Sequence, residues 1–531
     1  MQVLGIEGTS HTFGAGVVND LEIVSNSKSI ISPKSGGIHP KEAALHHFEV
    51  ADLVIRESLE KAALRMSDID LVAFSQGPGL GPCLRVAATA ARSIAISNSK
   101  PVVGVNHCLG HIEIGRRLGK VTDPLVLYVS GGNTQIIAHS NGRYRVFGET
   151  QDIGIGNMLD KLARFAGIPF PGGPVIEEKA QEGNKLLDLP YSVKGMDTSF
   201  SGILTAAMQH LRNGERLEDV CFSVQEYSFS MLVEVLERAL VHLGKDEILL
   251  TGGVAMNGRL RKMVELMGRE TAVKVASTPA EYCMDNGSMI GQAGMMMFNS
   301  GIRQSISETS ISQNFRVDEV DAPWISSWEP SSEAMVGSES KLERMEYFGR
   351  KAIRKLRLPK AYRIPILDRS IRNSRLRNEC SVLARLEVIG VRTPQLLDVD
   401  VQSFSAITRE IEGKTLRDFL IGNEKLQGGI DVLGSVIGKM HANSVSHGDL
   451  TTSNLMVADG IYLIDPSMGR IGADPEDMAA DLVTLEESMH SAHGRIPGLW
   501  EDFLRSYSGA FPESGIILET FMKIKKRRRY V

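Results

Sequence analysis

The 531-residue sequence has few cysteines, no long apolar run and no excess of basic charge. Its five cysteines form no Cys-x-x-Cys pair, which excludes a disulfide scaffold and a zinc ribbon and favours a reducing cytoplasm. No apolar run approaches membrane-spanning length, and the charge of Glu7 interrupts the first apolar stretch too early for a signal peptide. The formal net charge of −5 gives no overall basic excess, so any polyanion site has to be local. We expect a soluble, cytoplasmic protein without a membrane partner.

A strand–turn–strand pattern that occurs twice predicts an α/β fold. The chain is too long for one ordinary core, so two or three domains are expected. Residues 3–6 and 14–18 read as two strands joined by a glycine and hydroxyl turn, and residues 124–129 and 135–138 repeat this design. Two units of one design predict a duplicated α/β domain with a cleft between its halves.

Three glycine turns at predicted strand ends indicate a nucleotide cleft. The third of them, at residues 252–258, has small residues that let a ligand approach the backbone, and Asn257 offers an amide to a ribose or base. Residues 171–174, with Glu177, have the composition of a loop on the adenosine side of such a cleft. Asp160 is placed to orient a ribose hydroxyl or a metal-bound water. Each feature alone is more often structural, but together they favour a nucleotide site.

Two histidines four residues apart, His107 and His111, are candidates for metal ligation. If the segment is helical they lie on one face, near enough to bind one metal ion, although the spacing also fits two polar helix residues. Asp285, in a loop-like segment, supplies a third donor. A carboxylate and two imidazoles suit iron, zinc or manganese, with positions left open for a substrate.

A helix is expected to begin at residues 39–42, with Pro40 in its first turn. We interpret His46 and His47 as part of its solvated face. The apolar positions assigned to this helix are Leu45, Phe48, Leu53 and Ile55.

These motifs together resemble the actin-like ATPase (ASKHA) superfamily and, within it, the universal tRNA threonylcarbamoyl transferase family, which comprises bacterial TsaD and its counterpart in KEOPS. The resemblance covers residues 1–323. It depends on Asn106-His107-x-x-x-His111, Ser130-Gly131-Gly132-Asn133-Thr134, Gly252-Gly253-Val254-Ala255-x-Asn257 and Asp285-Asn286-Gly287.

The resemblance implies a set of site residues and a reaction. His107, His111 and Asp285 would hold the metal, iron in preference to zinc, with Tyr128 as a further ligand. The residues implied in binding threonylcarbamoyl-adenylate are Tyr128, Val129, Ser130, Gly131, Gly132, Asp160, Gly173, Glu177 and Asn257. The exocyclic amine of the adenosine beside the anticodon of tRNA would attack the carbamoyl carbonyl, and AMP would leave. A metal can polarise that carbonyl, and the sequence offers no serine or cysteine nucleophile with an adjacent base.

The composition changes after residue 323. Residues 324–332 are a Pro/Ser-rich linker, and the second domain is expected at residues 333–531. A strand over residues 346–355 carries Lys355, and a helix opening at Arg375 carries Glu379.

The second domain carries the phosphoryl-transfer pattern of protein kinases. Asp449 is followed five residues later by Asn454, and a strand then leads to Asp465. In that pattern Asp449 orients the attacking hydroxyl or water, and Asn454 and Asp465 bind magnesium. Lys355 would hold the α- and β-phosphates of ATP and pair with Glu379.

Several departures from ordinary kinases are visible. His447-Gly448-Asp449 replaces His-Arg-Asp, Asp465-Pro466-Ser467 replaces Asp-Phe-Gly, and Gly337-Ser338-Glu339-Ser340 stands in the region of the glycine-rich loop. No Ala-Pro-Glu motif follows. These features resemble the small atypical kinase of KEOPS, an α+β domain, and leave substrate phosphorylation and ATP hydrolysis coupled to tRNA modification both open.

The last residues, 523–531, are rich in lysine and arginine. They read either as a solvated tail or, given the tRNA substrate that the resemblance implies, as a phosphate-binding tail. The resemblance also implies two small KEOPS partners, a dimerising subunit and a kinase-binding subunit.

The main hypothesis is a transferase fused to its regulatory kinase or ATPase. A metalloprotease is a rival because of the histidine pair, but Cys108 and Leu109 stand where such an enzyme would carry its glutamate base. A nucleotide-switched scaffold would bind nucleotide without transferring an acyl group. A sugar kinase of the actin-like superfamily explains the glycine turns but neither the histidines nor the second domain.

Overall fold

The computed structural model describes residues 1–31, 39–140, 142–325, 340–421, 430–493 and 498–527. Most of the predicted linker, the Gly337–Glu339 segment and the last four residues of the basic tail lie outside these ranges. The chain forms two compact units, Met1–Glu333 and Ala334–Val531. None of the helices described is long and apolar enough to cross a membrane.

The first unit contains two five-stranded sheets. The elements of its first half are β1 (Val3–Glu7), β2 (Thr12–Val18), β3 (Ile23–Ile30), α1 (Pro40–Lys61), β4 (Leu71–Gly77), α2 (Gly81–Ser97), β5 (Val102–Asn106) and α3 (His107–Gly119). The strand order is β3-β2-β1-β4-β5, with the β1–β2–β3 pairs antiparallel and the β1–β4–β5 pairs parallel.

The second half repeats this plan. Its first elements are β6 (Leu125–Val129), β7 (Thr134–Ser140), β8 (Arg143–Glu149), α4 (Ile155–Phe165), α5 (Gly173–Gln181), β9 (Val193–Lys194) and β10 (Asp197–Thr198). There follow α6 (Ser201–Arg212), α7 (Leu217–Leu243), β11 (Glu247–Thr251), α8 (Gly258–Thr271), β12 (Lys274–Ser277), α9 (Ala280–Cys283) and α10 (Gly287–Asn299). The order is β12-β11-β6-β7-β8, and read from β8 to β12 it has the same sequence of antiparallel and parallel pairs as the first sheet read from β3 to β5. The predicted duplicated α/β domain is therefore confirmed.

Helix α10 packs unusually close to the first sheet. A Cβ atom on Gly5 of β1 would overlap the backbone of Gly287 and Gly291, and a Cβ on Gly287 would overlap that of β2. The side chain of Asn286 caps α10 by accepting from the backbone N–H of Met289 at 3.0 Å. The close packing and the cap fix where α10 begins, and hence the position of Asp285 immediately before it.

Helix α1 begins at Pro40 as predicted. Of the four apolar positions assigned to its core, only Ile55 is buried. Leu45, Phe48 and Leu53 are exposed, whereas His47 is fully buried against Phe13. Burial lowers the pKa of His47 to about 4, which keeps its imidazole neutral. Hydrophobicity alone misplaced much of the buried face of α1, because that face combines Val54 and Ile55 with Ala43, Ser58 and this histidine.

The second unit is α+β. Its first elements are β13 (Ser340–Tyr347), β14 (Arg350–Arg357), α11 (Pro365–Val388), β15 (Leu396–Asp400), β16 (Ser405–Arg409), β17 (Lys414–Thr415) and α12 (Leu416–Ile421). The rest are α13 (Ile430–Ala442), β18 (Val445–Ser446), β19 (Leu455–Val457), β20 (Ile461–Leu463), β21 (Arg470–Ile471), α14 (Pro475–His493), α15 (Leu499–Ala510) and α16 (Gly515–Arg527). A four-stranded sheet of order β13-β14-β16-β15 carries α11, and the helices from α13 onward form the larger apolar core.

Two predictions for this unit were wrong. The single strand expected over residues 346–355 is a hairpin that turns at Phe348 and Gly349, whose φ angles are 48° and 72°. Two consecutive positive φ angles are the signature of a tight hairpin turn. Asn-Gly is a stronger sequence signal for such a turn than the Phe-Gly of this chain. The helix carrying Glu379 begins at Pro365, ten residues before Arg375. Its first turns are polar, so their apolar periodicity is weak, but proline at the first helical position is a start signal.

Candidate metal centre and nucleotide sites

The two histidines occupy the first turns of α3. Asn106 ends β5 and caps the helix, since its side-chain oxygen accepts from the N–H of Leu109 at 3.1 Å. The predicted helical face is confirmed, with both imidazoles buried. Oδ1 of Asp285 lies 3.5 Å from Nε2 of His107 and 3.3 Å from Nε2 of His111. One ligand atom from each of the three residues lies within 4.8 Å of the others, so the structure brings the three predicted metal ligands together.

A fourth residue, Glu7 at the end of β1, completes this cluster and was not predicted from the sequence. Its Oε2 lies 3.1 Å from Nδ1 of His107, and its Oε1 accepts from the N–H and the hydroxyl of Thr9 at 2.7 and 2.5 Å. A carboxylate that accepts from Nδ1 of a histidine fixes the tautomer whose Nε2 is available to a metal. In the sequence, the only sign of this role is that Glu7 is a charged residue at the end of a predicted buried strand.

The charges in this cluster oppose one another. Burial disfavours the imidazolium of His107, but the carboxylates of Glu7 and Asp285 outweigh burial and raise its pKa to about 9. Burial lowers the pKa of His111. Burial also disfavours the carboxylate of Asp285, yet the two imidazoles hold its pKa below its usual range. A metal ion bound here would displace the Nε2 proton of His107, and a half-buried carboxylate between two imidazoles is a suitable donor set for a divalent cation.

Tyr128, at the end of β6, tests whether the pocket fits a metal. Its ring lies 5.3 Å from that of His111, measured between centroids. The buried hydroxyl of Tyr128 has no hydrogen-bond partner among the residues that the structure describes. An unpaired buried hydroxyl is costly, and coordination to a cation would satisfy it. Two imidazoles, a carboxylate and a phenol fit iron or zinc better than magnesium, because nitrogen donors favour those metals.

The glycine turns meet at one edge of the second sheet. Strands β6 and β11 are parallel neighbours, with Tyr128 paired to Thr251, so their carboxyl ends lie side by side. A Cβ atom on Gly252 would overlap the carbonyl of Val129, which holds the two turns in contact. A Cβ on Gly132, Gly173 or Gly253 would meet no atom within 4 Å. The turns therefore present bare backbone to open space, as a close-fitting ligand requires.

The other predicted nucleotide residues brace these turns. Asp160 accepts from the N–H of Gly172 at 2.8 Å, immediately before Gly173, and burial raises its pKa. Glu177 accepts from the N–H of Gly258 at 2.7 Å, which links α5 to the start of α8. The N–H of Ser130 donates to the carbonyl of Asn133 at 2.8 Å and closes the turn after β6.

Asn257 has a structural role that was not predicted from the sequence. Its side-chain oxygen accepts from the N–H groups of Arg259 and Leu260, at 2.9 and 3.2 Å, and caps α8. Its amide donates to Gln225 at 2.7 Å. Asn257 therefore shapes the turn through its oxygen and one amide contact, and its contact with a nucleotide stays a prediction.

The second unit brings together the predicted phosphate-binding residues. Lys355 of β14 lies 2.8 Å from Oε1 of Glu379 on α11 and 2.5 Å from Oδ1 of Asp465. Asn454 donates from Nδ2 to the carbonyl and to Oδ2 of Asp449, at 2.8 and 3.1 Å. Carboxylate and amide oxygens such as those of Asp449, Asn454 and Asp465 are the donors that magnesium prefers.

Asp481 on α14, which the sequence reasoning missed, holds the loop that carries Asp449. Its Oδ2 accepts from the N–H of His447 at 2.6 Å and its Oδ1 from the N–H of Gly448 at 2.7 Å. The side chain is buried and also lies 3.3 Å from Nε2 of His441. His447 in turn donates from Nε2 to the carbonyl of Ile464, next to Asp465, at 2.9 Å. These contacts rigidly connect Asp449 to Asp465.

Comparison with known proteins agrees with this geometry. Residues 21–292 match the family described as TsaD, tRNA N6-adenosine threonylcarbamoyltransferase. A protein of Thermoplasma acidophilum named probable bifunctional tRNA threonylcarbamoyladenosine biosynthesis protein is 52% identical over 531 residues, with 100% of both chains covered. A protein of the same name from Methanocaldococcus jannaschii is 44% identical over 542 residues, again with 100% of both covered.

Among solved structures, the HypF crystal structure of T. kodakarensis matches 58% of this chain and 49% of its own, with a TM-score of 0.42 and 14% identity. The full-length identities above are far higher. From the duplicated fold, the two sites and these full-length matches, we conclude that the chain belongs to the family of bifunctional tRNA threonylcarbamoyladenosine biosynthesis proteins.

Proposed function

We propose that residues 1–323 transfer threonylcarbamoyl from threonylcarbamoyl-adenylate to the exocyclic amine of the adenosine beside the anticodon of ANN-decoding tRNAs, with release of AMP. Residues 333–531 then act as a kinase or ATPase that regulates or drives this modification. The observation that supports the proposal most is the cluster of His107, His111 and Asp285 at the carboxyl end of the first sheet. Transferase activity on tRNA follows from the family to which the chain belongs.

In this proposal His107, His111 and Asp285 hold one divalent metal, iron in preference to zinc, and Tyr128 adds its hydroxyl. The metal would supply a Lewis acid that polarises the carbamoyl carbonyl. Glu7 keeps the His107 ring oriented through Nδ1. The bare backbone at Gly132 and Gly173 admits the adenylate, and Asp160 and Glu177 keep the surrounding turns in place.

The cysteines near the site support direct transfer over a covalent enzyme intermediate. Cys108 follows His107 in α3, and burial raises the pKa of its thiol to about 12. Cys283 precedes Asp285 and donates from its buried thiol to the carbonyl of Thr278 at 3.0 Å. A thiol that stays protonated and buried is a poor nucleophile.

The same geometry disfavours a metalloprotease. Such an enzyme needs a carboxylate free to take a proton from water at the metal. The nearest glutamate, Glu7, instead contacts Nδ1 of His107 and both donors of Thr9, on the side of the ring away from Asp285. Peptide cleavage that depends on His107 would restore this alternative.

In the second unit we propose that Asp449 orients the attacking hydroxyl or water, and that Asn454 and Asp465 bind magnesium. Lys355, already close to Glu379, would hold the phosphates of ATP. Oxygen donors suit magnesium here, in contrast to the nitrogen-rich site of the first unit. Whether the phosphoryl acceptor is a protein or water is decided by assay.

We propose that tRNA is bound in the cytoplasm together with two small KEOPS subunits, one dimerising and one binding the kinase unit. Of the basic tail, Lys523 pairs with Glu519 and Lys525 with both oxygens of Glu486. The Lys525–Glu486 pair joins α16 to α14, whereas the Lys523–Glu519 pair is exposed on α16 itself and leaves Lys523 accessible to a phosphate.

The proposal is tested by a reconstituted assay with the intact chain, tRNA, threonine, bicarbonate, ATP and an adenylate-forming enzyme. Formation of threonylcarbamoyladenosine in tRNA and release of AMP are measured. A chain that binds nucleotide but transfers nothing would be a scaffold and would contradict the proposal.

Replacing Glu7 by glutamine should weaken metal binding about ten- to a hundredfold, as loss of a carboxylate behind a ligating histidine does elsewhere. The measurement is a titration of the metal-free chain with iron(II) or zinc. Glu113→Gln is the control, because this buried glutamate of α3 contacts Arg116, Tyr144 and Trp324 but no imidazole. Equal affinities for the two variants would show that Glu7 does not act on the metal site.

Replacing Gly132 by valine should leave thermal stability unchanged but weaken binding of a non-hydrolysable adenylate analogue at least about tenfold. The Cβ atom of the added side chain would meet no atom within 4 Å in the free protein, and the side chain occupies room that the ligand needs. Calorimetric titration measures the affinity. Gly154→Ala is the contrasting variant: its Cβ would lie 2.5 Å from the carbonyl of Gly132, so it should lower the melting temperature. Unaltered binding by Gly132→Val would remove this part of the proposed cleft.

A further inference from the structure

Two residues beyond Lys355, on the same face of β14, lies a second buried cation, Arg357. Its guanidinium contacts Oε2 of Glu379 at 2.5 Å, while Lys355 contacts Oε1 of the same carboxylate at 2.8 Å. The guanidinium also lies 4.0 Å from Oδ1 of Asp465. Glu379 is therefore held by two cations, one on each oxygen.

The phosphoryl-transfer pattern requires only one of these cations. When nucleotide and magnesium bind, Lys355 has to share its charge with phosphates and Asp465 with a metal. If Lys355 were the only cation beside Glu379, the ion pair of that carboxylate would then be weakened, although Glu379 is only 5% exposed. A buried carboxylate without a full counter-charge is costly and would tend to move α11 outward.

Only a short stretch of chain separates Asp465 from α14, which makes a second counter-charge for Glu379 more important. Helix α14 begins at Pro475, so only residues 466–474 separate it from Asp465. In many kinases the segment between the residues equivalent to Asp465 and α14 is long and is ordered by phosphorylation. That ordered segment holds in place the helix equivalent to α11. In this chain α11 contacts that short connection directly, because Asn378 donates to the carbonyls of Ser467 and Gly469 at 3.0 and 2.6 Å.

We propose that Arg357 is a positioning residue that keeps Glu379 and helix α11 in the ATP-competent arrangement while Lys355 engages the phosphates. It substitutes for the control that an activation segment exerts in other kinases, so the second unit is assembled without phosphorylation. The inference rests on the proposed kinase or ATPase function of this unit. Helix α11 is tied to the same point by Arg372, which donates to the carbonyl of Arg357 at 3.4 Å and pairs with Asp368 at 2.7 Å.

The test compares Arg357→Met, Arg357→Lys and the control Arg354→Met in the full chain. Arg354 lies on the same strand but is partly exposed and pairs with Glu343 only at 3.9 Å. Three quantities are measured: the affinity for ATP with magnesium, kcat and KM for ATP hydrolysis, and hydrogen exchange of residues 365–388. Wild-type chain that neither binds nor hydrolyses ATP would remove the proposed function itself, before any variant is considered.

We expect Arg357→Met to lower kcat about ten- to a hundredfold, in line with the loss of a buried charged hydrogen bond. Hydrogen exchange in α11 should become faster in the nucleotide-bound chain, while α13 and α14 remain protected. Arg357→Lys should restore part of kcat, and Arg354→Met should behave as wild type. The proposal is overturned if Arg357→Met retains wild-type kcat and α11 exchange. It is equally overturned if both Arg357 variants speed exchange throughout the second unit, since the role would then be general stability.

Discussion

The His111→Ala chain is expected to lose threonylcarbamoyl transfer to tRNA by about a thousandfold or more, the scale of removing a main electrostatic stabiliser of an acyl-transfer transition state. His111 provides one of two imidazole nitrogens, and its Nε2 is 3.3 Å from Oδ1 of Asp285. Without it the remaining donors no longer enclose a cation. Threonylcarbamoyladenosine in tRNA is quantified after digestion to nucleosides, with preformed adenylate as donor.

The matched control is His210→Ala, which removes an imidazole from the exposed face of α6, where it contacts only the carbonyl of Asp188. This variant should transfer at the wild-type rate. Metal content is determined for both proteins in parallel. Wild-type transfer by a His111→Ala chain that holds no metal would show that the cluster has no part in the reaction.

The Asp449→Ala chain is expected to lose ATP turnover by about a thousandfold, within the range for removing a positioned general base. Asp449 is fixed by Asn454 at 3.1 Å, and its loop is held by Asp481 through the N–H of His447. Phosphate release from ATP is the measurement. Asp459→Asn is the control, because this exposed carboxylate pairs only with Arg392 and Tyr462.

Retained ATP turnover in Asp449→Ala, with Asp459→Asn also active, would mean that hydrolysis occurs elsewhere in the chain. The first unit is the alternative place, since its glycine turns also present backbone to a nucleotide. Repeating the assay with Gly132→Val would locate that activity.

Local patterns predicted the first unit well. Strand–turn–strand units are encoded by neighbouring residues, so both halves of the duplicated domain could be found from periodicity and glycines. The two histidines are four apart in one helix, which fixes their geometry before any tertiary contact forms. Asp285 could be singled out as an oxygen donor in a loop-like segment, but no spacing pattern could predict that it reaches His111, because 174 residues separate the two.

Residues that act through long-range contacts could not be predicted in this way. Glu7 reaches His107 across 100 positions and Asp481 reaches His447 across 34, and neither pair has a spacing that periodicity can detect. The cap that Asn257 provides for α8 was not predicted, because a helix cap and a ligand amide look alike in sequence. The buried face of α1 was partly misassigned for a related reason: its leucines and phenylalanine are apolar but exposed, whereas the polar His47 is buried on the same helix as Val54 and Ile55.

The account depends on a cation held by His107, His111 and Asp285 in the first unit. X-ray absorption spectroscopy of the intact, metal-loaded chain tests this most directly, with Asp285→Ala as the comparison. The prediction is one metal per chain, surrounded by two imidazole nitrogens and oxygen donors, with the metal lost or its oxygen shell reduced in Asp285→Ala. A chain that binds no metal stoichiometrically, or a spectrum without imidazole that is unchanged in the variant, would contradict it.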